Sequence, residues 1–131
     1  MNVNLVAASD TPSIENHNNI LIQDIKSIPS RGCRSLILNH VLNYLTDEQI
    51  EEILGKIRHG GSVSVTAPDA MEVSSALYWG TIDINTFSAL TGGRLKQYTV
   101  LDIKTLFEQK GYAIEIANIQ DLSFYVKANR P

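Results

Sequence analysis

Apolar residues in the first half of the chain form short continuous runs separated by polar turns. The four runs are Val3–Ala8, Ile20–Ile25, Ser35–Val41 and Ser62–Ala67. Runs of this length and continuity predict strands buried on both faces, as in a parallel sheet covered by helices. Turn-forming residues follow the first and fourth runs, as Ser-Asp-Thr-Pro and as Pro68-Asp69, and they mark where those strands end.

A helix is predicted between the third and fourth runs, from about Asp47 to His59. Thr46 can cap its first turn, because Gln49 follows three residues later and completes a capping box. One apolar stripe at helical spacing then follows, formed by Ile50, Ile53, Leu54 and Ile57. We expect this stripe to pack on the sheet and Gly60 to end the helix. Strand, helix and strand together predict a right-handed βαβ crossover.

The second half predicts further helices and a closing hairpin. Residues 70–79 fit a short helix, and another helical turn precedes Gly92-Gly93. Thr99 can cap a helix of about ten residues that ends at Gly111, with an inward face of Leu101, Leu106 and Phe107. The runs 112–119 and 122–128 alternate strictly between apolar and polar residues, which predicts an antiparallel hairpin at the edge of the sheet. The prediction is one α/β domain over residues 1–131.

Composition narrows the functional classes. With 131 residues, a net charge of −3 and a pI near 5.5, the chain lacks the basic surface typical of nucleic-acid binders, so that partner is not expected. Cys33 is the only cysteine, which rules out an internal disulfide and a cysteine-rich zinc site. The three histidines have no cluster spacing, so no metal site is predicted. No signal peptide and no membrane-spanning run is recognisable, and we expect a cytoplasmic protein that does not enter membranes.

The order of these segments resembles the class I S-adenosylmethionine-dependent methyltransferases. The segments that carry the resemblance are "NHVLNYL", "GGSVSVTAPD", the capped helix ending "EQKGY", and the final hairpin. It covers roughly residues 20–128 and is strongest for short family members in which a strand reading "LNLGcG" leads quickly to "HVLEH". The resemblance implies a Rossmann-like, three-layer α/β/α fold with a mostly parallel sheet and an antiparallel C-terminal hairpin, here truncated at the N-terminus. It also implies a donor site beyond the carboxyl ends of the first strands.

The glycine-rich first loop of that family is altered here. The counterpart of "LNLGcGd" is Val3–Asp10, with Val6 and Ala8 in place of the two glycines. Glycine lets the backbone approach a ligand closely, so we expect donor binding to be impaired. A second alignment treats the same segment as the family's second strand, with Asp10 as the ribose-binding acid. We favour the first alignment, because the second leaves the centre of the sheet empty.

The resemblance implies specific site residues, and each has a structural alternative. S-adenosylmethionine contacts are expected from residues at the strand ends: Ser9, Asp10, Asp24, Ile25 and Asn39. His40 and Asp69 are the candidate general bases. As alternatives, Asp24 and Asp69 can be turn or capping residues, and His40 can be a hydrogen-bonded strand-end residue. Tyr78 and Trp79 fit either an acceptor pocket or an oligomer contact.

Three functions therefore remain open, the weakest of which is a binder of another nucleotide or small metabolite at the same crevice. The first is a methyltransferase-like protein that uses S-adenosylmethionine and a small-molecule acceptor whose identity the sequence does not give. The alternative is a non-catalytic subunit of this fold that binds a protein partner or forms a homodimer. Missing N-terminal helices would expose one face of the sheet, and an apolar exposed face would favour the alternative.

Overall fold

The computed structural model describes the whole chain, Met1–Pro131. Its strands are β1 (Asn2–Val6), β2 (Asn18–Leu21), β3 (Cys33–Asn39), β4 (Ile57–Pro68), β5 (Ala113–Gln120) and β6 (Ser123–Asn129). Its α-helices are α1 (Asp47–Leu54), α2 (Ala70–Tyr78), α3 (Ile84–Thr91) and α4 (Val100–Gln109). Two 3₁₀ helices, Ile22–Ser27 and Leu42–Tyr44, flank β3. No helix is long and apolar enough to cross a membrane.

The six strands form one sheet in the order β2-β1-β3-β4-β6-β5. The first four strands pair in parallel, and β6 lies antiparallel between β4 and β5. The predicted α/β class, the mostly parallel sheet and the antiparallel C-terminal hairpin are thereby confirmed. Because β1 lies between β2 and β3, the segment 3–8 occupies the centre of the parallel part. This position agrees with the first alignment of the glycine-loop segment.

The direction of the crossovers explains where the helices lie. Parallel crossover connections are right-handed, so connections that run the same way across the sheet lie on the same face. The connections β2 to β3, β3 to β4 and β4 to β5 all run in one direction, and they carry the helices. Of the connections between parallel strands, only the one from β1 to β2 runs the other way. It is the 7–17 loop, which contains no helix.

The buried core confirms that arrangement. It contains 23 residues, and its members from the strands come from alternate positions of one face, such as Val3 and Leu5 in β1 or Leu36 and Leu38 in β3. Helical core members include Ile53 of α1 and Phe107 of α4. We call this side the covered face. The opposite side, which we call the open face, carries the 7–17 loop instead of the second helical layer that the three-layer expectation included.

Several element boundaries differ from the sequence predictions. Helix α1 ends at Gly55 rather than near His59, because residues from Ile57 onward pair with β3 as part of β4. Gly60 and Gly61 therefore lie within a strand, and a Cβ at Gly61 would come within 3.0 Å of the Arg34 carbonyl oxygen. Asp24 lies in a 3₁₀ helix rather than at the end of a strand. Leu101 is solvent-exposed, and Ile103 takes its place in the core.

Candidate functional site

The carboxyl ends of β1 and β3 form a crevice at the point where the strand order reverses. Strand β2 extends the sheet on one side of β1, whereas β3 extends it on the other. In open α/β sheets, ligands bind beyond the carboxyl ends of the strands at such a switch point. A crevice of about 390 Å³ lies there, lined by the end of β1, the 7–14 loop and Asn39–Val41. This volume is within the range of about 300–1,000 Å³ for ligand pockets.

The altered glycine loop adopts a conformation that suits its residues. Val6 is buried, and Ala7 and Ala8 line the crevice. None of these three residues has a positive φ, so the backbone here does not need glycine's conformational freedom. The loop turns at Ala8, whose carbonyl oxygen accepts hydrogen bonds from the backbone N–H and the hydroxyl of Thr11. The side chains of Val6 and Ala8 thus occupy space that glycines would leave open, and the backbone of the loop is not strained.

Asn4 provides an unpartnered acceptor beside this crevice, and the sequence analysis did not identify it. The Asn19 side chain donates from Nδ2 to the Thr11 carbonyl, at 2.9 Å. A carbonyl can only accept, so this bond fixes Asn19 with its Oδ1 toward Asn4. Asn4 therefore donates from Nδ2 to that Oδ1, at 3.0 Å. The Oδ1 of Asn4 is left buried and without a partner, in a residue that is only 2% exposed.

An unsatisfied buried acceptor of this kind costs about 1–3 kcal/mol. The atom is also closed to water in this conformation, so a ligand can reach it only if neighbouring atoms move aside. The signal in the sequence was available: a polar residue inside an otherwise apolar central strand, "VNLV".

His40 lies at the end of β3 and lines the same crevice. Its backbone N–H donates to the Thr66 carbonyl, and its φ of 57° is in the left-handed region, which non-glycine residues other than Asn, Asp and His rarely occupy. Partial burial lowers the pKa of the imidazole, and the positive charge of Arg94 lowers it further. The imidazole is therefore neutral at pH 7 and can accept a proton. Asn39 is exposed next to it at the crevice.

Asp69 is placed as a structural carboxylate. It is 1% exposed and is the N-cap of α2. Its Oδ1 accepts from the N–H groups of Met71 and Glu72, and its Oδ2 accepts from Val100 N–H at 2.9 Å. Both oxygens thus join the start of α2 to the start of α4. A carboxylate held by three backbone donors in the interior is poorly placed to act as a base, and we leave it out of the site.

The remaining predicted contacts do not line the crevice. Ser9 and Asp10 are exposed at the tip of the loop, and Asp24 is exposed in the 3₁₀ helix, where its carbonyl accepts from the Ser27 hydroxyl. Ile25 is buried in the hydrophobic core. Of the expected residues, the structure brings together Asn39 and His40, with Asn4 in addition. No carboxylate lines this crevice.

Comparisons with known proteins give a consistent view of the fold. No protein-family model and no curated protein matches the chain. Among solved structures, a SAM-dependent methyltransferase from Archaeoglobus fulgidus superposes with a TM-score of 0.59 and 14% identity, over 88% of this chain and 68% of that one. A SAM-dependent methyltransferase from Methanosarcina mazei superposes with a TM-score of 0.58 and 9% identity, over 88% of this chain and 68% of that one.

A third structure, an O-methyltransferase family protein from Burkholderia thailandensis, gives a TM-score of 0.56 and 14% identity, over 87% of this chain. The present chain spans only 36% of that protein's length. Identities this low concern the fold and not the activity. The chain has the fold of the class I S-adenosylmethionine-dependent methyltransferases.

Proposed function

We propose that the chain is a methyltransferase-like protein that binds S-adenosylmethionine at the β1/β3 crevice. The observation that carries the proposal is the unpartnered Oδ1 of Asn4 beside a crevice at the switch point. The structural neighbours described as SAM-dependent methyltransferases support the choice of ligand. When bound, S-adenosylmethionine would supply the methyl group for an acceptor of unknown identity.

The residues of the crevice fit one end of this ligand better than the other. The α-ammonium is the strongest hydrogen-bond donor of S-adenosylmethionine, and the Oδ1 of Asn4 is an acceptor without a donor. Asn39 and His40 add polar groups nearby. By contrast, no carboxylate lines the crevice to accept from the ribose hydroxyls, since Asp10 and Asp24 lie outside it. We therefore expect weak binding that depends on Asn4.

His40 is the residue best placed for proton transfer in this proposal. Its neutral imidazole can accept a proton at pH 7, and a general base must be unprotonated to act. The protein would otherwise act by positioning the acceptor, since holding two reactants in line lowers the barrier without covalent chemistry. Asp69 has no part in this scheme.

Calorimetric titration with S-adenosylmethionine and S-adenosylhomocysteine tests the proposal. We expect dissociation constants weaker than about 10 μM, and Asn4→Ala should weaken binding by about tenfold, as for loss of one charged hydrogen bond of about 1.5 kcal/mol. Asn43→Ala is a matched control, because Asn43 also has a buried, unpartnered Oδ1 but lies outside the crevice. Equal losses in both variants, or no heat at millimolar ligand, would exclude donor binding at Asn4.

The second candidate function is a non-catalytic subunit of this fold. The absence of a carboxylate in the crevice favours it. The structural role of Asp69, whose oxygens accept backbone hydrogen bonds at the starts of α2 and α4, favours it as well. This alternative predicts no binding of either ligand in the titration above. It also predicts that His40→Asn leaves every measurable activity of the protein unchanged.

A further inference from the structure

The α2–α3 hairpin is an apolar structure that the sheet does not bury. Between Val73 and Gly93 the only charged residue is Asp83, and its side chain caps α3 by accepting from the Thr86 N–H. Helix α3 has apolar residues at helical spacing, Ile84, Phe87 and Leu90, yet none of its residues is buried. Isolated helices of eight residues are marginal in water. Within the monomer α3 packs against α2, which leaves Phe87 and Leu90 half-buried and Ile84 exposed.

The exposed apolar side chains of this hairpin are large. Tyr78 is 79% exposed and Trp79 is 76% exposed, and their rings meet edge to face with centroids 4.9 Å apart. Met71 lies about two turns before Tyr78 on the same face of α2, and both Met71 and Ile84 are exposed as well. Because an aromatic side chain presents about 150–250 Å², the four side chains together expose on the order of 600 Å². That is at the upper end of the largest patch on a monomer, about 300–600 Å².

A crevice next to these aromatic rings makes the surface self-complementary. It has a volume of about 390 Å³ and lies between α2 and the β5–β6 turn. Half of its lining is apolar (Ala76, Trp79, Ile82 and Leu122), and the other half is polar, including the acidic residues Glu72 and Asp121. An apolar cavity of about 150 Å³ is enough to hold a benzene ring. Tyr78 does not line this crevice and projects beside it. One surface thus carries both a projecting aromatic ring and a site that can receive one.

We propose that the α2–α3 hairpin is the contact surface of a homodimer, in which Tyr78 of each copy enters the α2/β5–β6 crevice of the other. A twofold contact uses the same patch on both copies, and it needs a ring and a receiving site within that patch. Interfaces are enriched in Tyr, Trp and Met, and this patch exposes Tyr78, Trp79 and Met71. The patch lacks the Lys and Arg residues that draw a surface helix to anionic lipid, so a protein partner fits it better than a membrane.

Sedimentation velocity across protein concentrations, together with fluorescence, tests this proposal. Trp79 is the only tryptophan of the chain, so its emission reports burial of the proposed contact directly. We expect a dimer whose dissociation on dilution coincides with a red shift of the emission. Tyr78→Ser should weaken the dimer by at least about 30-fold, as for loss of an interface hot spot of about 2 kcal/mol.

Leu101→Ser is the control, since Leu101 is similarly exposed on α4 and lies outside the patch. It should leave the dimer unchanged, and thermal unfolding of each variant shows whether the fold is retained. A monomer at all concentrations would overturn the proposal. So would a dimer that keeps Trp79 in water or survives Tyr78→Ser, and so would a monomer whose emission shifts only on zwitterionic lipid vesicles.

Discussion

The two faces of the sheet are built from the same strands but have opposite chemistry. On the covered face, neighbouring strands present mainly apolar side chains, for example Leu5, Leu38 and Val65 in one paired row. On the open face the side chains are mainly polar; they include Asn2, Asn4, Asn19, Ser35, Ser62, Ser64, Thr66, Tyr125, Lys127 and Asn129. Strand residues alternate between the faces, so a single sequence specifies both.

This difference shows how the chain is stable with one helical layer. A bare sheet face of apolar side chains would expose a large patch and invite association. The open face instead carries amides and hydroxyls, some of which pair with one another, such as the Tyr125 and Ser64 hydroxyls at 3.3 Å. The open face is therefore not the apolar exposed face that would favour a partner-binding role. The exposed apolar residues lie on the α2–α3 hairpin instead.

The difference between the faces predicts unequal losses of stability when side chains of equal size are removed from opposite faces of one strand. Leu38 is buried in the core, whereas its neighbour Ile37 lies on the open face. We expect Leu38→Ala to lower the free energy of unfolding by about 3–5 kcal/mol, near the upper part of the range for buried leucine. Ile37→Ala should cost about 1 kcal/mol, because less of its surface is buried. Urea unfolding measures both, and equal losses would contradict the assignment of the faces.

A smaller effect is expected at the carboxyl edge, where two aspartates cap helices in different surroundings. Asp69 is buried and accepts three backbone hydrogen bonds, whereas Asp83 is exposed and caps α3 through Thr86 N–H. We expect Asp69→Ala to cost about 3 kcal/mol, since it leaves buried donors unsatisfied. The loss for Asp83→Ala should be about 1 kcal/mol, typical of an exposed N-cap. Thermal unfolding compares them, and a milder loss at Asp69 would reopen its assignment as a free base.

The smallest effect concerns the pH dependence of stability at His40. Burial and the charge of Arg94 lower the pKa of the folded-state imidazole below 6.5. Between that lower pKa and 6.5 the unfolded chain binds more protons than the folded one, so stability falls as the pH decreases through this window. His40→Asn keeps a residue that tolerates positive φ and removes the titration. Its stability should therefore change less with pH between 7 and 5; an equally steep decrease would place the titrating group elsewhere.

The sequence was most informative where local chemistry decides the structure. Thr46 with Gln49 and Thr99 with Asp102 form capping boxes at the predicted helix starts, because a cap needs only residues three apart in the chain. The C-terminal hairpin follows from strict alternation. Boundaries were less accurate at Ile57, whose side chain continues the helical stripe of α1 while its backbone pairs with Cys33 of β3. There, strand pairing outweighed helical periodicity.

The site was harder to predict because it depends on which loops fold back over the sheet. Asp24 and Asp69 are acids near strand ends in the sequence, but one lies in an exposed 3₁₀ helix and the other in a buried cap. Asn4 is important only because the Thr11 carbonyl orients Asn19, which in turn orients Asn4. The polar residue in "VNLV" marks Asn4 as unusual in the sequence. The pairing that leaves its Oδ1 without a partner involves two strands and a loop, and no local pattern reveals that pairing.

A map of amide chemical shifts during titration with S-adenosylhomocysteine tests donor binding at the β1/β3 crevice most directly. We expect shifts at the residues that line the crevice, and the loss of these shifts in Asn4→Ala. The lining residues with an amide N–H are Asn4, Val6–Ala8, Thr11, Ser13, Ile14 and Asn39–Val41. Residues of α1 and α4 on the covered face should not shift. Shifts centred on Asp24 or on the α2–α3 hairpin, or no shifts at millimolar ligand, would contradict a donor site at the β1/β3 crevice.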